Sequence, residues 1–80
     1  MALEIRYFAG AKAAAGIDTE TIHANTLADA QVVMIAAHGP RLQHVLTGCS
    51  FLVDGAAHRD VAQPLPAHCT VDVLPPFAGG

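Results

Sequence analysis

The chain has 80 residues, enough for one small domain, and its 52% content of hydrophobic residues excludes a disordered polypeptide. Its net charge of −3 reflects seven acidic and only four dispersed basic residues, which argues against a nucleic-acid partner. No apolar run approaches the roughly 18 residues of a membrane span, and Glu4 and Arg6 interrupt the segment where a signal peptide would be apolar, so we expect a cytoplasmic protein without membrane contact.

The first part of the chain predicts two strands. The alternation in LEIRYF, residues 3–8, is typical of a half-buried strand. Its inward side chains would be Leu3, Ile5 and Tyr7, and its outward ones Glu4, Arg6 and Phe8. The small residues of AGAKAAAG, residues 9–16, predict a connector with about one helical turn. IDTETIH, residues 17–23, alternates again, and its threonines favour a strand at the edge of a sheet.

The segment NTLADAQVVMIAAHGP, residues 25–40, predicts the main helix. Thr26 is the expected N-cap, and Asp29, three residues later, fits a capping box. Gly39 can adopt the left-handed conformation after the last turn, and Pro40 prevents the helix from continuing. The buried stripe is expected to contain Leu27, Ala30, Met34 and Ala37, widened by Val33.

The second half of the chain predicts a further helical turn and two or three short strands. RLQHVL, residues 41–46, would form the turn, and SFLVDG, residues 50–55, a strand closed by an Asp-Gly turn. Pro64 and Pro66 leave room for at most one brief strand in the segment around them. CTVDVL, residues 69–74, predicts the last strand, whose two valines point inward.

The order strand, strand, helix, then two or three strands predicts an α+β domain over residues 1–74. The apolar stripe of the helix and the apolar face of the strands must cover each other, so we expect a mixed sheet packed against one main helix. Residues 75–80 would follow this domain as an extended tail.

The tail is the stretch of the sequence that points most directly to chemistry. Pro75 and Pro76 favour extended backbone, and Gly79 and Gly80 could enter a channel too narrow for a Cβ atom. The carboxylate of Gly80 is ionised at pH 7 and is a poor electrophile, so it would first need activation, for example by adenylation. A sulfur donor could then displace AMP and leave a thiocarboxylate. Because the chain lacks a phosphate-binding loop, a partner enzyme would have to supply the activation.

The whole chain resembles the ubiquitin-like sulfur carriers, and most closely the MoaD family, the small subunit of molybdopterin synthase. Four segments carry the resemblance: YFAGAK (residues 7–12), AAHGPRLQHVL (36–46), FLVDG (51–55) and, most specifically, VDVLPPFAGG (71–80). The resemblance implies the β-grasp fold, which has the order of elements predicted above. The chain differs from the family at Ala13, where an acidic residue is usual, and at Asp54, where VNG is frequent.

The resemblance also implies a function for the tail. Gly80 would be adenylated at the expense of ATP by an E1-like enzyme (MoeB-like) and would receive sulfur from a donor protein. Pro75 to Gly79, including Phe77 and Ala78, would enter the active site of the large synthase subunit (MoaE-like), where the sulfur passes to the pterin precursor. The chain would have no catalytic site and no permanently bound cofactor of its own, and would form a heterotetramer with the large subunit.

Strand parity predicts a partner surface near the base of the tail. In the β-grasp fold the first and last strands are neighbours, so Phe8 and Leu74 would both face outward. With Phe77 they could form one exposed apolar patch, and such patches mark interfaces. Lys12 is a further candidate for a partner contact.

The histidines and cysteines do not predict a metal site. The five histidines show no metal-ligand spacing, and His38, in the last turn of the main helix, would suit the helix dipole. Cys49 and Cys69 are expected to be free, buried or half-buried thiols.

Other functions remain open at this point. The chain could carry sulfur for thiazole or another product, although carriers for thiazole are typically shorter and lack the LPPFAGG stalk. It could instead be a protein modifier whose Gly80 forms an isopeptide bond with a lysine. In a stand-alone binding domain the tail would be inert.

Overall fold

The computed structural model describes residues 2–76. Within that range the chain forms five strands and three helices. In chain order they are β1 (Ala2–Tyr7), α1 (Ala9–Ala15), β2 (Thr19–His23), α2 (Leu27–His38), α3 (Pro40–Leu46), β3 (Ser50–Val53), β4 (Ala56–Ala57) and β5 (Thr70–Leu74). The predicted order of elements is confirmed, and the two segments expected to form single helical turns are helices of seven residues each.

The strands form one mixed sheet in the order β2-β1-β5-β3-β4. β1 and β5 are parallel, and the other three pairings are antiparallel. The first and last strands are therefore neighbours at the centre of the sheet, and β2 lies at an edge, as predicted. This mixed five-stranded sheet with its helices is the expected β-grasp arrangement.

The predicted parity of the two central strands is confirmed. Leu3, Ile5 and Tyr7 of β1 are buried, as are Val71 and Val73 of β5. They belong to one hydrophobic cluster with side chains from the helices, the largest of which are Leu27, Met34 and Leu42. The other face of the two strands carries Glu4, Arg6 and Asp72, so the sheet has one apolar and one polar face.

The bounds of α2 follow the prediction, but the conformation of Gly39 and the buried stripe do not. The Thr26 hydroxyl accepts a hydrogen bond of 3.1 Å from the Asp29 N–H, whereas Gly39, with φ 87° and ψ −170°, has a positive φ without the predicted left-handed helical conformation. Val33, at 37% exposure, and Ala37 lie on the solvent side, which corrects the predicted stripe. At 3.6 residues per turn the stripe through Leu27 and Met34 widens toward Gln31 and Ile35 instead, both of which are half-buried.

The connector after β1 is a helix of seven residues, which is longer than the single turn predicted. Its alanines favour helix strongly enough to outweigh one internal glycine. The helix ends at Gly16, which has a φ of 75° and donates its N–H to the Lys12 carbonyl at 2.8 Å. Pro40 stops α2 and at the same time occupies the first turn of α3, a position where proline needs no N–H partner. Among residues 2–76, no helix has the length and apolar character needed to cross a membrane.

The turn between β3 and β4 confirms the predicted Asp-Gly signal. Asp54 and Gly55 both have positive φ, 50° and 87°, as the tightest hairpin turns require. Asp54 also exchanges two hydrogen bonds with Thr70, one from its N–H at 2.8 Å and one to its carboxylate at 2.9 Å. The hairpin is thereby fixed to the first residue of β5.

Candidate functional site

The predicted tail leaves the domain from the end of β5. This strand is bonded to β1 on one side and to β3 on the other, so two ladders hold the residues that precede the tail. Leu74 and Pro75 are half-buried, and Pro76 is exposed. Four predicted site residues lie outside the described range: Phe77, Ala78, Gly79 and Gly80. The structure therefore defines the base of the tail, and the roles of the four terminal residues stay predictions.

Phe8 and Leu74 occupy neighbouring positions on the polar face of the sheet. The parallel register pairs Tyr7 with Val73, and the Phe8 N–H donates to the Val73 carbonyl at 3.3 Å. Phe8 keeps extended backbone angles, φ −125° and ψ 150°, so its side chain points opposite to that of Tyr7. Phe8 is 38% exposed and Leu74 half-buried. The structure thus brings together the two described members of the predicted apolar patch.

An ion pair on the same face supports the Phe8 ring. Arg6 donates from Nε to Asp72 Oδ1 at 2.6 Å and from Nη2 to Asp72 Oδ2 at 2.9 Å. Its guanidinium carbon lies 5.7 Å from the centroid of the Phe8 ring, within cation–π range. The hydrogen bonds that Arg6 donates to the Asp72 carboxylate raise the pKa of Arg6. Asp72 is only 8% exposed, and the bidentate bond satisfies a carboxylate that burial would otherwise destabilise.

Sequence reasoning placed Arg6 on the outward face but did not identify this ion pair. The sequence did indicate that such a pair was possible, because Arg6 and Asp72 carry opposite charges at outward positions of two strands expected to be neighbours. Only the register, which places Arg6 directly opposite Asp72, turns that possibility into a contact.

Lys12 lies close to Phe8 at the mouth of a surface cavity. The cavity has a volume of about 340 Å³ and is lined by Arg6, Tyr7, Phe8, Ala9, Lys12, Asp18 and Thr19. The Lys12 ammonium is 2.8 Å from Asp18 Oδ1, and both side chains are largely exposed. Exposed pairs of this kind contribute little to stability, so Lys12 can exchange Asp18 for an acidic group of a partner at small cost.

Beneath Phe8, on the opposite face of the sheet, lies a polar cluster that the sequence did not predict. The Tyr7 hydroxyl donates to Glu20 Oε2 at 2.5 Å, and His38 Nε2 is 2.5 Å from the same oxygen. The rings of Tyr7 and His38 meet edge to face with centroids 5.8 Å apart. Burial and the bond to Glu20 raise the pKa of Tyr7, so it stays neutral and remains a donor. The cluster ties the end of β1 to β2 and to the last turn of α2.

The two cysteines are free, as predicted. Cys69 is buried, and Cys49 is half-buried with its Sγ donating to the Val45 carbonyl at 3.2 Å. Burial raises the pKa of both thiols, which keeps them protonated and weakly nucleophilic. In the described range, no three His, Cys, Asp or Glu side chains come together as metal ligands.

The fold is shared by several proteins of known structure. SAMP1 of Haloferax volcanii matches with a TM-score of 0.83 at 24% identity, over 100% of both chains. A chain from the complex of subunits 1 and 2 of the molybdopterin-converting factor of Helicobacter pylori matches with a TM-score of 0.77 at 24% identity, also over 100% of both chains. Small archaeal modifier protein 1 of Methanosarcina acetivorans gives 0.83 at 19% identity, over 99% of this chain and 96% of that one.

Comparisons of the sequence give no match, in contrast to comparisons of the structure. No protein-family model matches the chain, and no curated protein matches it significantly. The structural neighbours include a chain of a molybdopterin-converting factor and small archaeal modifier proteins, and the structure shared with them confirms the predicted β-grasp fold.

Proposed function

We propose that this chain is a sulfur carrier for molybdopterin synthesis. One observation carries the proposal: a β-grasp domain, shared in full with a molybdopterin-converting factor structure, whose central strand continues directly into the sequence PPFAGG. A carrier needs a carboxylate at the end of a thin segment and a folded domain that partners can bind. The sequence after β5 supplies the first, and the described residues supply the second.

The chemistry takes place at the carboxylate of Gly80. An E1-like enzyme attaches AMP to this carboxylate from ATP and releases pyrophosphate. A donor protein then delivers sulfur at the oxidation level of sulfide, which displaces AMP and leaves a thiocarboxylate on Gly80. The thiocarboxylate sulfur, a soft and charged nucleophile, displaces an oxygen substituent of the pterin precursor in the active site of the large subunit. Water then cleaves the bond between this sulfur and the Gly80 carbonyl carbon, so the sulfur stays on the pterin and Gly80 returns to a carboxylate.

The carrier acts as a cosubstrate, with catalysis performed by its partners. Within residues 2–76, three nucleophilic side chains have shifted pKa values: Tyr7, Cys49 and Cys69. Burial raises the pKa of each of them. A raised pKa disfavours the anion that would react at neutral pH. Both thiols thus suit a structural role, which agrees with the proposal that Gly80 carries the sulfur.

The large subunit is proposed to bind over Phe8, Leu74 and Phe77, with Lys12 at the rim. The support is the complex of subunits 1 and 2 found for one structural neighbour, together with the adjacent positions of Phe8 and Leu74. An exposed aromatic residue supported by an arginine is a good anchor for an interface. Two carriers and two large subunits would form the assembly, and we expect it to act in the cytoplasm.

A protein modifier is the second candidate, and a specific observation favours it. Three of the structural neighbours are named SAMP1 or small archaeal modifier protein 1. In that case the activated carboxylate of Gly80 would form an isopeptide bond with a lysine of another protein.

Intact-mass analysis separates these two functions. The chain is incubated with an activating enzyme, ATP and a sulfur donor, with the same chain lacking Gly80 as the control. Replacement of one terminal oxygen by sulfur supports the carrier, whereas a conjugate with a second protein's lysine supports the modifier. If the chain without Gly80 still sustains pterin sulfuration, the proposal is wrong.

A further inference from the structure

The exit of the tail lies against the turn that joins α3 to β3. The antiparallel register pairs Leu74 with Ser50, so each further residue of the tail base faces one residue earlier in that turn. Pro76 accordingly lies at Gly48. A Cβ atom placed on Gly48 would be 3.4 Å from Pro76 Cγ and 3.7 Å from Pro76 Cδ. The proline ring therefore packs next to Gly48, at a position where a larger residue would place its side chain.

This turn is held firmly by hydrogen bonds. The Thr47 hydroxyl donates to the His44 carbonyl at 2.7 Å, and the Gly48 N–H donates to the Val45 carbonyl at 3.2 Å. The Cys49 thiol donates to the same Val45 carbonyl, also at 3.2 Å. These bonds close the last turn of α3, so the surface beneath Pro76 is part of the packed domain.

The prolines cannot continue the ladder of β5. Neither Pro75 nor Pro76 has an N–H to donate, so the pairing with β3 must end at Leu74. Their φ angles are fixed near −65°, and the segment is stiff. The contact with Gly48 therefore has a large influence on the direction in which the chain leaves the domain.

We propose that Gly48 is a positioning residue that sets the direction of the tail. This inference rests on the proposed function only where it concerns activity; the contact itself does not depend on it. The φ of Gly48 is not positive, so other residues fit its backbone without strain. An alanine would place its Cβ at ordinary van der Waals distance from Pro76, whereas the two methyl groups of a valine would leave less room for the proline ring.

The displacement can be worked out from chain dimensions. A valine methyl carbon lies about 1.5 Å beyond Cβ, and Pro76 is about 7 Å from Leu74 if the chain is extended. With a pivot at Leu74, a displacement of this size at Pro76 corresponds to a turn of roughly 12° in the direction of the chain at that residue. Since a misplacement of about 1 Å can slow a reaction about 100-fold, we expect at least a tenfold loss in the rate of thiocarboxylate formation.

The contact is tested by nuclear magnetic resonance on the full chain. We expect a nuclear Overhauser effect between the α protons of Gly48 and the ring protons of Pro76. The effect should persist from the alanine α proton in Gly48→Ala. In Gly48→Val it should disappear, and the amide resonances of residues 77–80 should shift. Absence of the effect in the unmodified chain would overturn the proposal.

The consequence for function is tested by the rate of thiocarboxylate formation with activating enzyme, ATP and sulfur donor. Gly48→Val should form the thiocarboxylate at least tenfold more slowly than the unmodified chain, and the rate for Gly48→Ala should lie within about twofold of the unmodified chain. Both variants should keep the melting temperature of the unmodified chain. Equal rates for Gly48→Val and the unmodified chain would refute the positioning role and leave the carrier function standing. No thiocarboxylate on the unmodified chain would refute the carrier function, while the resonance experiment still decides the contact.

Discussion

Tyr7 permits a direct optical test of the polar cluster beneath the partner surface. It is the only tyrosine, and the chain has no tryptophan, so tyrosinate absorbance reports on this one residue. Burial, followed by the bond to Glu20, raises the pKa of Tyr7 in the folded chain, whereas in the unfolded chain it ionises near pH 10. The resulting stabilisation is complete below about pH 10 and is lost as the pH rises toward the higher folded pKa. We expect tyrosinate to appear only as the domain unfolds.

The size of the effect follows from the geometry of the cluster. Tyr7 is 2% exposed, and its hydroxyl donates to a carboxylate at 2.5 Å. Hydrogen bonds to charged groups contribute about 1.5–3 kcal/mol. Glu20 keeps its contact with His38 when the hydroxyl is removed, so the lower end applies to Tyr7→Phe. A loss of about 1.5 kcal/mol lowers the melting temperature of a domain of this size by roughly 6–12 °C.

The assay is an alkaline titration followed by tyrosinate absorbance and by far-ultraviolet circular dichroism in parallel. The two signals should change together in the unmodified chain. In Tyr7→Phe the melting temperature at neutral pH should fall, and stability should decrease less steeply above about pH 10. In Glu20→Gln the tyrosinate should form at lower pH. Reversible ionisation near pH 10 with an unchanged dichroism spectrum would refute the reasoning.

Three further substitutions test the partner surface and the main helix. Phe8→Asp should weaken binding to a large synthase subunit at least tenfold in calorimetry without a change in melting temperature, whereas the control Phe8→Leu should bind nearly as well as the unmodified chain. If Phe8→Asp binds with the affinity of the unmodified chain, Phe8 is not part of the interface. Lys12→Met should change the free energy of unfolding by less than about 0.5 kcal/mol, but it should slow association with the large subunit at low salt. An association rate of the unmodified chain that does not depend on salt would contradict this prediction. Thr26→Ala should lower the free energy of unfolding in urea by about 1 kcal/mol because it removes the hydroxyl that accepts the Asp29 N–H, whereas Thr26→Ser should be nearly neutral. Equal losses of stability in both variants would exclude the cap as the cause.

Local patterns in the sequence predicted much of the fold because their causes lie within a few residues. Alternation placed Ile5 and Val71 in the core, since a strand must turn one face to its helices. The cap at Thr26 and the turn at Asp54 depend on the side chains and backbone angles of adjacent residues. These features could be stated before any tertiary contact was known.

The features that the sequence did not predict depend on contacts between distant segments. The pairing of Arg6 with Asp72 joins residues 66 positions apart and needs the register of two strands. The cluster around Glu20 needs the end of α2 to meet β2. Gly48 stands 28 positions before Pro76, and nothing in its neighbourhood indicates that a proline ring will cover it.

The central position of β5 also has a mechanical meaning. If the tail enters a narrow channel of a partner, as proposed, the partner pulls on this strand along the strand's own axis. Because β1 and β3 hold β5 from both sides, such a pull loads the hydrogen bonds of both ladders in shear, all at the same time. A tail that continued from the edge strand β2 would have only one ladder to resist the same force. The domain can thus serve as an anchor against which the tail is threaded and withdrawn without loss of the fold.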